Sequence, residues 1–369
     1  MQTVRSAAAH LKDLTPYDPR YLPARSYLNA NENPYGTPQA VCEALQSALS
    51  NNEASLHRYP DPLAKRLRST IAAQFGVTEG SVLLGNGGDE LLFDLCLAYG
   101  GAGRSLLITP PTFSVYNTDA VLTHTEVLEI PRACGVSTSG EDSQLDFSVD
   151  EGAVLTYLSK HDVDIVVLTS PNNPTGDCLS VSFIEKVLAA TDAVVLVDHA
   201  YIEFANPRYD ATPLLAKNAN LAILRTFSKA YGLAGMRIGY LVSNEEITQE
   251  LCKVRQPYSV DTLAALAALA ALEAGKEISG NLKSIISERE RLADALGPRG
   301  LGLSVAPSEA NYLLFRVPQA HEVWQQLYDE HSILLRDLSD LPGLSDCLRV
   351  SIGTPEENDE LLAALAGML

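Results

Sequence analysis

Short runs in which almost every residue is Val, Ile or Leu recur through the middle of the chain: Ser105 to Thr109, Asp164 to Thr169, Ala193 to Val197, Leu221 to Arg225 and Ile238 to Val242. A strand that is apolar on both faces, instead of at alternate positions, belongs in a largely parallel sheet covered by helices on either side. Stretches with helical spacing, such as Val181 to Ala190, lie between these runs and supply the crossovers that parallel strands require. The centre therefore predicts an α/β domain with a mostly parallel sheet sandwiched by helices. Beyond Glu246 the pattern changes. Glu246 to Val254, Thr262 to Ala274 and Leu282 to Leu296 read as helices, and Ala310 to Val317 as a short strand. This change predicts a smaller α+β domain, with residues 36–256 forming the large domain and residues 257–369 joining the Pro- and Asn-rich segment 1–35 to form the small one. Arg132 to Gln144, polar and glycine-containing, reads as an exposed loop.

Composition narrows the classes of function. At 369 residues, 46% hydrophobic and 20% charged, the chain is ordinary globular protein with length for a large domain and a companion. Its formal net charge of −19, with no Lys/Arg-rich run, argues against nucleic acid or an anionic membrane as partner. Six scattered cysteines without a C-x-x-C pair read as free thiols. There is no long apolar stretch at the start and none of membrane-spanning length elsewhere, so a soluble, cytoplasmic protein is expected.

In an open parallel sheet, ligands collect outside the carboxyl ends of the strands. The residues after each predicted strand are therefore the first place to look for chemistry. Ser170-Pro171-Asn172-Asn173-Pro174-Thr175-Gly176 follows one, Asp198-His199-Ala200-Tyr201 the next, and Thr226-Phe227-Ser228-Lys229 a third, with Gly235-Met236-Arg237 soon after. These motifs resemble the fold type I aminotransferases that depend on pyridoxal 5′-phosphate (PLP), and within their class II subgroup the histidinol-phosphate branch. The resemblance extends from Tyr27-Leu28-Asn29-Ala30-Asn31-Glu32-Asn33-Pro34-Tyr35 to Leu348-Arg349-Val350-Ser351-Ile352-Gly353-Thr354.

The resemblance implies that Lys229, in S-K-A-Y-G-L-A-G-M-R, holds PLP as a Schiff base and then serves as general base at the substrate Cα. Asp198 follows a buried strand, where an unpaired carboxylate is costly. A pyridinium N–H removes that cost, and the carboxylate in turn keeps the ring protonated as an electron sink. Asn173 and Tyr201 resemble the residues that hydrogen-bond the PLP phenolic oxygen. Gly85-Asn86-Gly87-Gly88-Asp89-Glu90 precedes an apolar helical run from Leu91, so the amides around Gly87, Gly88 and Asp89 suit the phosphate. Arg237, Ser228 and Thr226 resemble further phosphate contacts, and Tyr59 resembles a tyrosine that reaches the phosphate from the neighbouring subunit, which implies a homodimer with a shared site. Phe113 matches the aromatic residue that stacks on the ring, where many relatives have tyrosine. His199 stands where relatives commonly have glutamate and is expected behind the site, without a direct role in the reaction.

Arg349 resembles the arginine that grips an α-carboxylate, and Arg336 one that binds the distal anion; Tyr17 and Asn31 resemble further substrate contacts. The implied reaction is glutamate plus imidazole-acetol phosphate giving 2-oxoglutarate and histidinol phosphate, a step of histidine biosynthesis. Aromatic-amino-acid aminotransferases and threonine-phosphate decarboxylases share most of these motifs and remain alternatives, and a non-catalytic PLP-binding regulator is a remote one. A dinucleotide-binding oxidoreductase is excluded, because Glu90 stands where G-x-G-x-x-G needs its third glycine. None of the seven histidines has metal-ligand spacing, so no catalytic metal is expected.

Overall fold

The computed structural model describes residues 4–12, 14–16, 22–137 and 144–369. After the two-residue strand β1 (Ser26–Tyr27) come α1 (Gln39–Ser50), α2 (Lys65–Phe75), β2 (Val82–Gly85) and α3 (Gly87–Tyr99). Next are β3 (Ser105–Ile108), α4 (Val115–Leu122), β4 (Glu126–Glu129), β5 (Gly135–Ser137), β6 (Gln144–Asp146) and α5 (Glu151–Leu158). Then follow β7 (Ile165–Thr169), α6 (Val181–Ala190), β8 (Val194–Asp198), β9 (Leu221–Thr226), β10 (Gly239–Ser243) and α7 (Glu245–Val254). The remainder is α8 (Thr262–Glu273), α9 (Gly275–Leu296), β11 (Ser304–Val305), β12 (Tyr312–Arg316), α10 (Ala320–His331), β13 (Ile333–Leu334), β14 (Arg336–Asp337), β15 (Cys347–Ser351) and α11 (Pro355–Met368).

Seven strands form the main sheet in the order β2-β10-β9-β8-β7-β3-β4. From β9 to β4 all neighbours are parallel, and β10 is antiparallel to both of its neighbours. All five apolar runs are strands of this sheet. The pattern did not mark β2 and β4. β4 is half-exposed and amphipathic, while β2 is four residues long and runs into the glycine turn before α3.

Alternation along the strands divides the core. Val166, Leu168, Val195, Val197 and Ile223 pack against α5 and α6. Leu106, Val167, Leu196 and Leu224 pack against α3, α4 and α7 on the other face. Because side chains alternate with period two, Thr169, Asp198 and Thr226 at the strand ends all continue the α3–α4 face. Asp198 is paired in register with Thr169 on one side and Leu224 on the other.

A second sheet, β14-β15-β12-β11-β6-β5, packs with α9, α10 and α11 around Tyr312, Phe315, Trp324, Leu348 and Leu361. β1 pairs in parallel with β13, which ties the opening segment to this layer. The stretch expected as an exposed loop from Arg132 to Gln144 is different in its described parts. Its ends form β5 and β6 of the second sheet. Arg132 itself is 3% exposed and bonds Asp177 at 2.5 Å and the carbonyls of Thr109 and Phe147. A guanidinium supplies five donors, so carbonyls and one carboxylate can satisfy a cation that reads as surface. The packing also changes later than residue 257. Ala264, Ala267 and Ala268 of α8 join the core around α1, α2, β2 and β10, and α9 passes from that core at Ile278 to the second at Ile285 and Leu292. Alanine on α8 brings that helix close to α1, so composition that resembled a change of domain reflects close helix packing.

His199 points to the face opposite Asp198 and is fully buried. Its Nδ1 lies 2.6 Å from the Ser170 carbonyl, and its Nε2 accepts from the Ala211 amide at 3.1 Å. One ring nitrogen donates and the other accepts, which requires the neutral imidazole. Burial, reinforced by the Arg225 cation, holds its pKa down at about 4. Between an unfolded value near 6.5 and this folded value, the unfolded chain binds the extra proton, so stability falls as pH falls through that window. The loss is on the order of 3 kcal/mol when complete. Urea unfolding from pH 7 to 4 should therefore show a steeper decline for the parent than for His199→Gln, whose amide keeps a donor and an acceptor but does not titrate.

Candidate active site

The carboxyl ends of β7, β8 and β9 open into a cavity of about 450 Å³, closed from above by Asn31 and by Arg349 of β15. Asp198 stands on its floor, 4% exposed. One carboxylate oxygen accepts from the Tyr116 hydroxyl at 2.6 Å and the other from the Ala200 amide at 3.0 Å. Burial raises its pKa, while these two hydrogen bonds oppose the rise. Neither partner is a cation, so the site presents a desolvated acceptor toward the cavity.

Lys229 lies along another wall. Its Nζ donates to the Ala30 carbonyl at 3.0 Å and sits 5.8 Å from the centre of the Tyr201 ring. Burial, aided by the Arg349 charge, lowers its pKa to about 8. That makes it a nucleophile at mild pH, as imine chemistry needs. The Tyr201 hydroxyl accepts from Asn31 Nδ2 at 3.0 Å. Asn31 is held in the left-handed region (φ 54°), and its own amide donates to Ser351 at 2.8 Å.

At the opposite end, α3 starts at Gly87, and its first-turn amides have no intrahelical acceptor. Arg237 comes to the same place from the loop after Lys229 and pairs with Asp89 at 2.9 Å. Gly87 has φ 79°, and a Cβ there would come within 2.6 Å of an Arg237 nitrogen. The backbone conformation thus favours glycine, and a Cβ there would also displace the guanidinium from its place beside α3. With Ser228 and Thr226 beside it, this end is built for a phosphate dianion. The donor set fits PLP: a carboxylate without a cation for the ring nitrogen, an activated lysine for the aldehyde, and a helix N-terminus with an arginine for the phosphate.

Gly88, Asp89, Phe113, Asn173, Asp198, Tyr201, Thr226, Ser228, Lys229, Arg237, Asn31 and Arg349 all line this cavity, and Gly87 backs Arg237. Arg349 donates to Asn173 Oδ1 at 2.5 Å and to the Asn29 carbonyl at 2.7 Å. Arg336 faces an adjoining chamber of about 410 Å³ that shares Phe113, Asn173 and Arg349, and it is the cross-strand neighbour of Arg349. Tyr59 is not in the cavity of its own chain. It is 81% exposed and stacks on Tyr258 at 4.6 Å. Tyr17 lies outside the described residues.

Sequence reasoning missed Tyr116, which touches the central carboxylate. A signal existed: Tyr116, in the first turn of α4, follows Phe113 by only three positions, so the two aromatic rings lie close to one another. Their rings meet edge to face at 5.7 Å. Thr169 and Thr112, which continue the hydrogen bonding from Tyr116, were also missed because small hydroxyl residues carry no pattern of their own.

The family model for aminotransferase class I and II matches residues 27–365. The chain belongs to this family. It is 40% identical to histidinol-phosphate aminotransferase 1 of Carboxydothermus hydrogenoformans, over 99% of this chain and 98% of that one. It is 36% identical to histidinol-phosphate aminotransferase of Chlorobaculum parvum, over 92% and 91%. The crystal structure of histidinol-phosphate aminotransferase from Sinorhizobium meliloti in complex with pyridoxal-5′-phosphate shares the fold, with a TM-score of 0.84 over 100% of this chain and 99% of that one, at 23% identity.

The lowered pKa of Lys229 has a measurable consequence for this aminotransferase. Only the neutral amine attacks an aldehyde, so capture of PLP by apo-protein should rise with pH to a plateau governed by a group near 8, not by an ordinary lysine near 10.5. Stopped-flow absorbance across pH 6.5 to 9.5 reads this directly. A rate still climbing steeply above pH 9.5 would show that Lys229 is not activated.

Proposed function

We propose that this aminotransferase transfers an amino group between glutamate and imidazole-acetol phosphate, giving histidinol phosphate and 2-oxoglutarate. PLP is its cofactor, carried on Lys229. When bound, PLP supplies an electron sink for the electrons released at the substrate Cα. The observation that carries the substrate reading is the cross-strand pair Arg336 and Arg349, set at the mouth of a cavity that already holds a separate phosphate site at α3. The relatives named above support it.

Each residue then has a task. Asp198 would hold the ring nitrogen and balance its charge, Asn173 and Tyr201 would donate hydrogen bonds to the phenolic oxygen, and Phe113 would pack on the ring. The α3 N-terminus with Gly87, Gly88 and Asp89 and the side chains of Thr226, Ser228 and Arg237 fix its phosphate. The Lys229 amine, with its lowered pKa, would serve as the base that moves the proton at the substrate Cα. Arg349 binds the α-carboxylate of glutamate, Arg336 binds the distal anion of either substrate, and Tyr17 and Asn31 complete the substrate site. The layer built on the main sheet, with α8 packed into it, acts as the large domain that holds the cofactor, and the layer built on the second sheet, with β1 tied to it, as the small domain that closes on it.

The active unit is a cytoplasmic homodimer in which Tyr59 completes the partner's phosphate site. Support comes from the surface around it: Leu56, Tyr59 and Tyr258 are 63%, 81% and 43% exposed, an apolar cost that a symmetric contact would remove. Sedimentation at assay concentration should give a dimer, and an active monomer would contradict this reading.

Because glutamate carries a carboxylate directly on its amine-bearing carbon, whereas histidinol phosphate carries there only its imidazolylmethyl arm and the methylene of its phosphate ester, Arg349→Ala should depress the glutamate half-reaction far more than the histidinol-phosphate half-reaction. Arg336→Ala should damage both. Loss of such a partner typically costs roughly 30- to several-thousand-fold in kcat/KM. Single-turnover runs that follow the cofactor's visible band separate the halves. Equal losses for Arg349→Ala would overturn the division of labour, and no turnover of histidinol phosphate by the parent would move the substrate to another member of the family.

A further inference from the structure

The carboxylate on the cavity floor is not an isolated acceptor. Tyr116 is 1% exposed, and its hydroxyl stands between Asp198 Oδ2 at 2.6 Å and Thr169 Oγ1 at 2.9 Å. Thr169 lies a further 3.2 Å from Thr112 Oγ1, which is itself 2.7 Å from Asn172 Oδ1. The directions of these bonds follow from the available protons. An ionised Asp198 only accepts, so Tyr116 donates to it. Asn172 uses its amide nitrogen on the Pro111 carbonyl and on Thr175, at 3.0 and 2.7 Å, so its oxygen faces Thr112 and takes the larger share of the Thr112 proton, which also points to Thr169 at 3.2 Å. Thr169 is then the donor that remains for the Tyr116 oxygen, and a hydroxyl that accepts a hydrogen bond becomes a stronger donor in turn. The far end is anchored: Thr175 bonds Asp177, and Asp177 bonds the buried Arg132.

Two opposing effects meet at Asp198. Burial favours the neutral acid, and hydrogen bonds to the carboxylate favour the ionised form. Among the described residues two donors reach it, the Ala200 amide and the Tyr116 hydroxyl. A neutral Asp198 would present a proton to the cavity, and a pyridine nitrogen facing it would be an acceptor without charge. An ionised one presents a lone pair and holds the proton on the ring.

We propose that Tyr116, backed by Thr169, is a positioning residue that keeps Asp198 ionised and aimed at the ring nitrogen of PLP. The proposal rests on the PLP reading above. Tyr116 borders the cavity, but its hydroxyl is taken up by Asp198 and Thr169, so it acts through the carboxylate.

The test uses holoenzyme and Tyr116→Phe, which preserves the ring packing against Phe113 and removes only the hydroxyl, with Thr169→Val as a second variant that deletes the next hydroxyl. The readout is the pH midpoint of the visible band of bound PLP. A positive ring nitrogen makes the imine nitrogen at Lys229 less basic, so weakening that charge moves the midpoint upward. For Tyr116→Phe an upward shift of about one pH unit is expected, with kcat lowered roughly tenfold and KM nearly unchanged. Thr169→Val should shift it in the same direction by less. A purely structural role would lower stability and leave the midpoint of correctly folded holoenzyme in place. Unchanged midpoints in both variants, with PLP bound, overturn the proposal while leaving the transaminase reading intact. A parent that binds no PLP overturns both.

Discussion

A carboxylate placed at the end of a buried strand is expensive unless something charged or strongly donating meets it. In this protein that carboxylate is Asp198, and the surrounding structure is arranged to make it tenable. The parallel sheet aligns its carbonyl ends so that β8 delivers Asp198 to the cavity between Thr169 and Leu224. Strand alternation decides which neighbour faces the cofactor, because a slip of one residue would present His199 in its place. Two donors hold the carboxylate within the protein, and the remaining demand is met by a ligand that carries its own N–H. Under the proposed PLP reading, that unmet demand would favour a protonated heteroaromatic ring.

The second layer brings the substrate side to this point. Arg349 and Arg336 come from adjacent strands of the smaller sheet, while Asn173 comes from the loop after β7, and the bond between Arg349 and Asn173 ties the two layers across the cavity. The opening segment contributes too. It pairs through β1 with β13, and Asn29, Ala30 and Asn31 reach over the site to meet Arg349, Lys229 and Tyr201. Substrate recognition and cofactor chemistry thus meet on backbone that belongs to different parts of the chain.

Much of this was legible in the chain because fully apolar strands have few other interpretations, and motifs directly after such strands land at the carboxyl edge of the sheet. Lys229, Asp198, Asn173 and Arg237 could be placed at that edge on those grounds. Residues whose role depends on neighbours remote in sequence could not. Tyr116 matters through Asp198, 82 positions away, and Arg132 through Asp177, 45 positions away. Tyr59 projects outward, away from the cavity of its own chain, so nothing in its local pattern places it at the site. The edge strands β4 and β5, and the three-residue β6 beside β5, escaped notice because short strands that alternate or carry polar residues look like loops.

The central claim is that Asp198 remains ionised and holds a proton on the cofactor's ring nitrogen. The most direct measurement is the ¹⁵N NMR shift of PLP labelled at the pyridine nitrogen and bound to the protein. The account predicts the shift of a protonated pyridinium in the parent holoenzyme near neutral pH, moving toward the unprotonated value in Asp198→Asn. An unprotonated ring nitrogen in the parent, or a shift indifferent to Asp198→Asn, would contradict it.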